Sequence, residues 1–367
     1  MRNPIGAYVI AAGKTGGHIF PGIALAREVQ ARRPSAPLIF VGTSEGLETR
    51  LVPEAGFTLE SIAASGFVGK SLADKIRALL QLPRGFFQAR RILRRYRTRA
   101  VAGMGGYVSV PVLLAARSLG IPTLIHDSDA LPGVSTRGLN RIATRTAVGV
   151  AAANATLRRP GSVTGTPVRP EFFVAPDLDS HPAGGPPRVL VFGGSQGSAV
   201  LNRAMAAAAG ELARDGIVGI HQTGDKHLES TRALYGTVPE GWSLEAFLPR
   251  LWEPLGWCDL VVARAGAMTL AELAAAGRPA VLVPFAAAAH GHQLVNARAF
   301  SAAGAAVTLE ERELDGARLA DTIRRLLADR RALAEMGRRA RALAVPDAAT
   351  RLADLLFEAE SSAPRAA

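Results

Sequence analysis

Three times along this chain a short apolar run ends directly in a cluster of glycines. Ala7 to Ala12 leads into Gly13-Lys14-Thr15-Gly16-Gly17, Ala100 to Ala102 into Gly103-Met104-Gly105-Gly106-Tyr107, and Arg188 to Phe192 into Gly193-Gly194-Ser195-Gln196-Gly197. Such runs are too short for buried helices and suit strands covered on both faces. Glycine then lets the backbone turn tightly and present bare N–H groups, while the next helix adds the positive end of its dipole. Each turn is therefore a candidate cradle for phosphate or sugar, and its plainer reading is a tight strand-to-helix connection.

Further strands are expected at Leu38 to Gly42, Thr123 to Ile125 and Thr146 to Val150, with helices at Pro21 to Arg33, Val112 to Leu119 and Gly133 to Ile142. The alternation reads as βαβ units on a parallel sheet. The stretch Ala175 to Pro187 has no periodicity and reads as a linker. The pattern then restarts, with strands at Arg188 to Phe192, Val218 to His221, Leu260 to Val262, Ala280 to Val283 and Ala306 to Leu309. Helices fit Ala199 to Arg214, Thr269 to Ala276, Gln293 to Ala303, Ala317 to Ala328, Arg330 to Leu343 and Ala348 to Glu360. The fold class is α/β, with two tandem doubly wound, Rossmann-like domains facing a cleft. We divide the chain into residues 1–170, a linker 171–187, a second domain 188–345 and a terminal helix and tail 346–367 that packs back on the first domain. Ligands in such sheets sit at the carboxyl ends of the strands.

The net charge of +12 is carried almost entirely by arginine and points to an anionic partner: a phosphorylated substrate, an anionic lipid or nucleic acid. One cysteine, Cys258, excludes an internal disulfide and fits a reducing compartment. The opening apolar run is too short for a signal peptide's core followed by a cleavage site, and no segment approaches a membrane span. Gly13-Lys14-Thr15 is not a Walker A loop, because the required first glycine would fall at Tyr8. A dinucleotide site fails too: no turn has the full G-x-G-x-x-G spacing, and Val29 to Phe40 holds no acidic residue. His181, His221 and His227 lack metal-ligand spacing and read as surface or core residues.

Six segments carry a resemblance in their order: Gly16-Gly17-His18-Ile19-Phe20-Pro21-Gly22, Gly103 to Ser109, Gly165-Thr166-Pro167-Val168-Arg169, Gly193 to Gly197, Arg264 to Glu272, and His292-Gln293-x-x-Asn296-Ala297. Together they are similar to the MurG family of bacterial peptidoglycan synthesis, from about Tyr8 to Leu355. The resemblance implies the two-domain GT-B glycosyltransferase fold. It also implies inverting transfer of N-acetylglucosamine from UDP-N-acetylglucosamine to lipid I, forming lipid II, with no cofactor and no metal. Ser195 would meet the donor diphosphate, Leu248 the uracil, and Glu272 the ribose hydroxyls. Ala267, Met268, Thr269, Leu270 and Ala271 would line the phosphate and sugar turn, and Gln293 would bond the sugar. From the first domain, Thr15, Gly16, Gly17, Asp129 and Arg169 would approach the donor, and Tyr107 the acceptor. His18 is the resemblance's base and Asp127 its rival. The implied partners are the donor, lipid I, an anionic membrane surface and other cell-wall synthesis and division proteins, not nucleic acid. The implied location is peripheral, on the cytoplasmic face of the membrane. A UDP-sugar 2-epimerase of the same plan and a basic nucleic-acid-binding protein are the alternatives.

Three features depart from the family pattern. Lys14 stands where glycine is usual, Asp129 replaces a neutral amide within His126-Asp127-Ser128-Asp129, and His290-Gly291 replaces an acidic pair. Residues Ile76 to Arg99 hold eight arginines and no acid. A helix from Arg84 to Arg99 would set Phe86, Ala89, Leu93 and Tyr96 opposite Arg84, Arg91, Arg95 and Arg99, after an apolar segment interrupted at Pro83-Arg84-Gly85. Ile76, Leu79, Leu80, Phe86 and Phe87 with Arg84, Arg91 and Arg95 are the expected membrane contacts.

Overall fold

A computed structural model describes residues 6–65, 72–180, 184–288 and 291–362, with backbone alone at 72–80 and 180. His181 and His290 lie outside the described residues, as do the side chains of Ile76, Leu79 and Leu80. The chain divides into two compact units. One comprises the described residues up to Val168 together with those from Val345; the other runs from Arg169 to Ala344.

The first unit contains β1 (Tyr8–Ala11), α1 (Gly16–Arg32), β2 (Leu38–Gly42), α2 (Glu48–Glu54), β3 (Thr58–Ser61), α3 (Leu72–Arg95), β4 (Ala100–Gly103), α4 (Ser109–Ser118), β5 (Thr123–Asp127), α5 (Val134–Leu139), β6 (Arg145–Val148) and β7 (Ser162–Val163). Its strands are all parallel, in the order β3-β2-β1-β4-β5-β6-β7. Alternation along β1 sends Tyr8 and Ile10 to one face and Ala7, Val9 and Ala11 to the other, each into its own buried cluster. Because both faces are covered, β1 reads as unbroken apolar sequence. The chain leaves β1 toward β2 and leaves β4 toward β5, so the loops after β1 and β4 diverge at the switch point of the sheet.

The second unit repeats the plan with β8 (Arg188–Phe192), α6 (Ala199–Arg214), β9 (Val218–Gln222), α7 (Leu228–Tyr235), β10 (Trp242–Glu245), α8 (Trp252–Trp257), β11 (Leu260–Ala263), α9 (Ala267–Ala276), β12 (Ala280–Leu282), α10 (His292–Ala302), β13 (Ala306–Thr308), α11 (Gly316–Ala328) and α12 (Arg330–Ala342). The order is β10-β9-β8-β11-β12-β13, again all parallel, with the switch point between β8 and β11. The last helix, α13 (Ala348–Ser361), packs on the first unit. Leu352, Ala353 and Leu356 join the cluster of Tyr8 and Ile10, Glu360 accepts from the Tyr8 hydroxyl at 2.6 Å, and Asp354 pairs with Arg32 at 2.7 Å.

Several sequence expectations shift. Helix α1 starts at Gly16, not Pro21, so Gly16, Gly17 and His18 form its first turn. The first N–H groups of a helix need no partner within it, so glycine there costs little and leaves them bare. Gly22 lets α1 lie close on the sheet: a Cβ there would meet Ile10, Met104 and Phe40 at 3.2–3.3 Å. Helix α3 runs continuously through Pro83 and ends at Arg95, and Arg97 then adopts a left-handed φ of 47°. Arg99 is therefore not on that helix face; it pairs with Glu360. Strands β3 and β10 escaped the sequence reading because they are edge strands with polar residues, and α2 because seven residues with a proline show no periodicity.

Candidate active site

All strands of each sheet are parallel, so the turns after them gather at one edge, and nearly every expected site residue sits at such an edge. In the first unit these are Thr15 to His18 after β1, Tyr107 after β4, and Asp127 to Asp129 at the end of β5.

His18 is half-buried in the first turn of α1. Its Nδ1 lies 3.2 Å from the Thr15 hydroxyl, so Thr15 orients the imidazole. Gly105 and Gly106, both at positive φ, pass the Nε2 edge: a Cβ at either would stand 3.3 or 3.5 Å from Nε2. A Cβ at Gly105 would crowd the ring from 3.1 Å at Cδ2, and one at Gly106 would reach ordinary contact with it. Burial lowers the His18 pKa from the ordinary imidazole range; Asp127 and Asp129 oppose this and Lys14 reinforces it. The result is a neutral imidazole. In the tautomer whose Nδ1–H donates to the Thr15 hydroxyl, Nε2 carries the lone pair a general base requires.

Asp127 is built differently. It is buried, and its oxygens accept the backbone N–H groups of Asp129 and Gly133, each at 3.1 Å. Its carboxylate organises the turn after β5 and bears on His18 through its charge. Its neighbour His126 is buried and holds the Gly165 carbonyl through Nε2 at 3.2 Å. Lys14 keeps its exposed side chain despite a φ of 74°, with its ammonium 5.9 Å from the centre of the Tyr107 ring. Lys14, Tyr107, Arg84, Gln81, Gln88 and Glu45 are among the residues lining a cavity of about 700 Å³ in this unit.

In the second unit the turn after β8 carries Ser195, but the N-cap of α6 is Ser198, whose Oγ accepts from the Leu201 N–H at 3.3 Å. Ser195 is half-buried within the turn, not at the helix end. Gly197, at φ 70°, lies against the backbone of Thr223 and Gly224, binding the β8 and β9 turns together. Residues Ala267 to Ala271 form the first turns of α9 and are half-buried, and Leu248 is half-buried in the loop after β10. Glu272 follows on α9, only 6% exposed, and desolvation pushes its pKa up to about 7 against the pull of Arg169. Arg169 belongs to this second unit, not the first as expected, and its guanidinium stacks 4.5 Å over Trp252 and 5.1 Å over Phe172. Gln293 uses its carbonyl oxygen to accept the Phe285 N–H at 3.0 Å, so it braces the loop after β12, and Asn296 braces the β11 turn by donating to the Ala265 carbonyl at 3.2 Å.

The sequence reading missed two carboxylates. Glu311 pairs with the buried Arg264 at 2.5 Å and accepts the Ala286 N–H at 3.1 Å. Glu48 is fully buried beside the β1 turn. Neither carries a motif, and both are identified only by what folds around them. His221 resolves as core: it is buried in a network with Asn202 and Tyr235, and desolvation takes its pKa down to about 3. Among the described residues no His, Cys, Asp and Glu cluster suits a metal ion, and no helix is long and apolar enough to cross a membrane.

The Glycosyltransferase family 28 N-terminal domain matches residues 8–148 and the Glycosyltransferase family 28 C-terminal domain residues 188–352. Over 95% of its length the chain is 43% identical to the UDP-N-acetylglucosamine–N-acetylmuramyl-(pentapeptide) pyrophosphoryl-undecaprenol N-acetylglucosamine transferase of Anaeromyxobacter dehalogenans, 92% of which is covered. The protein of the same name from Methylococcus capsulatus matches at 43% over 95% of this chain and 98% of its own. Among solved structures, MurG of Acinetobacter baumannii aligns with a TM-score of 0.78 at 30% identity, over 96% of this chain and 99% of that one. Two parallel α/β units in this order, matched nearly end to end at this identity, place the chain in glycosyltransferase family 28 as a member of the MurG family, with the GT-B fold.

Proposed function

We propose that this chain transfers N-acetylglucosamine from UDP-N-acetylglucosamine to the muramoyl hydroxyl of lipid I, producing lipid II with inversion at the anomeric carbon. The observation that carries the reading is His18, a half-buried imidazole whose pKa is lowered by burial, with Nδ1 against the Thr15 hydroxyl and Nε2 flanked by two glycines. Nε2 takes the acceptor's hydroxyl proton as its oxygen bonds to the anomeric carbon. The bond to the diphosphate breaks in the same displacement, and UDP leaves with the electron pair. Negative charge growing on the diphosphate is met by the N–H groups of the β8 turn and the N-terminal ends of α6 and α9, arranged before the reaction begins. Glu272 receives the vicinal ribose hydroxyls, one on each oxygen, with Leu248 against the uracil.

The direct test is transfer of labelled N-acetylglucosamine to a short-chain lipid I analogue. The expected result is a disaccharide product that requires both substrates. Consumption of UDP-N-acetylglucosamine without an acceptor, yielding its 2-epimer, would overturn the reading.

We place this reaction at the cytoplasmic face of the membrane, supported by helix α3. Ala89, Ile92 and Leu93 are buried, while Arg84, Phe87, Arg91 and Arg95 share the exposed face; Phe87 is 66% exposed. Phe86, expected at the membrane, is half-buried and packs against the core with its ring 5.3 Å from that of Phe87. Arg95 leans on Glu60 at 3.4 Å, leaving Arg84 and Arg91 as the stronger pair for anionic lipid, at roughly 1 kcal/mol each. Vesicles rich in anionic lipid should co-sediment the protein at low salt. Charge reversal at Arg84 and Arg91 should release it, as should high salt, while UDP binding stays unchanged. Co-sedimentation indifferent to those reversals would reduce this face to a solvated helix surface.

A further inference from the structure

Glu48 is 0% exposed and stands at the start of α2, yet its carboxylate is spent on two loops rather than on its own helix. Oε1 accepts the backbone N–H of Thr43 at 2.8 Å and the Thr43 hydroxyl at 2.7 Å, both from the loop after β2. Oε2 accepts the N–H of Lys14 at 2.7 Å, from the loop after β1. The glycines around it follow from this placement. A Cβ at Gly13 or Gly42 would press on the Glu48 side chain from 2.7 Å, and Gly46 closes on its carboxylate more tightly still. Gly13 therefore makes room for a carboxylate.

Lys14 is the other half of the arrangement. A φ of 74° is unfavourable for any residue with a Cβ and comes free only to glycine, the residue expected there. Such strain persists only when neighbouring structure imposes it. The Thr15 N–H closes the turn on the Gly13 carbonyl at 3.1 Å, and the bond from the Lys14 N–H to Glu48 anchors it from outside, one residue before Thr15 and four before His18. A buried carboxylate is a costly brace compared with an apolar side chain, so its worth lies in what it orients.

We propose that Glu48 is a positioning residue for the reaction: by holding Lys14 in the left-handed conformation it sets the turn that aims His18, and it does not touch substrate itself. Its charge also reaches His18, whose other charged neighbours are Asp127, Asp129 and Lys14, with His126 close by. Of these, Glu48, Asp127 and Asp129 favour the imidazolium and Lys14 disfavours it. This inference rests on the transferase reading above.

Glu48→Gln tests it at constant shape. The amide can still present an oxygen to Thr43, but its NH2 then faces the Lys14 N–H, donor against donor. The transfer assay should show kcat reduced by about 10²-fold, the scale of a slight misplacement of a catalytic group. UDP affinity, measured by titration, should stay within twofold, because that site is assigned to the other unit. The acid limb of the pH profile should move to lower pH, since a charge that favours protonated His18 is gone. Adding Lys14→Gly, which adopts the turn without strain, should restore most of kcat while the acid limb stays displaced. Wild-type kcat and an unmoved limb in Glu48→Gln would overturn the proposal, as would joint loss of turnover and UDP binding, which marks a fold defect. If the single variant does not fold, the double variant is measured, and an acid limb at the wild-type position would overturn the proposal equally. An inactive wild-type protein would instead remove the transferase reading.

Discussion

His18→Ala should lower the turnover number by about 10²- to 10⁴-fold, the usual worth of a positioned general base, with UDP affinity unchanged. The expectation follows from an imidazole whose pKa burial lowers, with Thr15 at Nδ1 and Gly105 and Gly106 beside Nε2. The pH profile carries the sign. Because burial depresses the His18 pKa, the acid limb of kcat/KM should lie below the ordinary imidazole value, and the enzyme should keep its base unprotonated through neutral pH. Asp127→Asn removes a charge that raises that pKa, so it should push the limb lower still. It should also lower kcat by disturbing the turn that its two oxygens anchor. If Asp127→Asn abolished turnover while His18→Ala kept most of it, the base would be Asp127.

Glu272→Gln should make the free protein more stable above neutral pH and the donor site weaker. A carboxyl held at about 7 against its ordinary 4.5 costs the folded state about 3 kcal/mol once it is ionised. Because the folded pKa is raised, the stability is intact at low pH. It is lost as pH climbs from the unfolded value through about 7. Thermal unfolding should therefore show wild type falling behind Glu272→Gln between pH 5 and pH 8, by up to that amount. Binding should run in the opposite sense. Two hydroxyls donating to two oxygens require the ionised carboxylate, so wild-type affinity for uridine should rise across the same interval and the variant's should stay flat and lower. Uridine carries no group titrating there, which isolates Glu272. Equal uridine affinities would remove this residue from the donor site, whatever the stability result.

His18 and Glu272 were legible to the same extent. Both stand in motif segments, so their positions were readable from residue order, but their chemistry was not. Nothing in Gly16-Gly17-His18 tells what lies against the imidazole; Gly105 and Gly106, far along the chain, flank its Nε2 edge. Nothing in the run Arg264 to Glu272 tells that the carboxyl titrates near 7; that depends on how α9 is enclosed. Arg169 shows the limit in reverse: placed by order with the first half of the chain, it stacks on Trp252 in the second unit.

What the residue order settled was everything carried by local periodicity. Fully buried parallel strands read as unbroken apolar runs, and glycines at their ends mark turns with left-handed or close-packed backbone. Two doubly wound units follow from these alone, while the site residues at the strand ends came from the family resemblance. What waited for the folded chain was whatever depends on neighbours distant in sequence. Glu48 looks like any helix-starting glutamate until the loops after β1 and β2 close around its carboxylate. Periodicity sets Phe86 on the apolar face of α3, but only the folded chain turns that face onto the core and leaves Phe87 outward. Burial and long-range hydrogen bonding set desolvation, tautomer and orientation, and a linear string contains these only through the packing it directs.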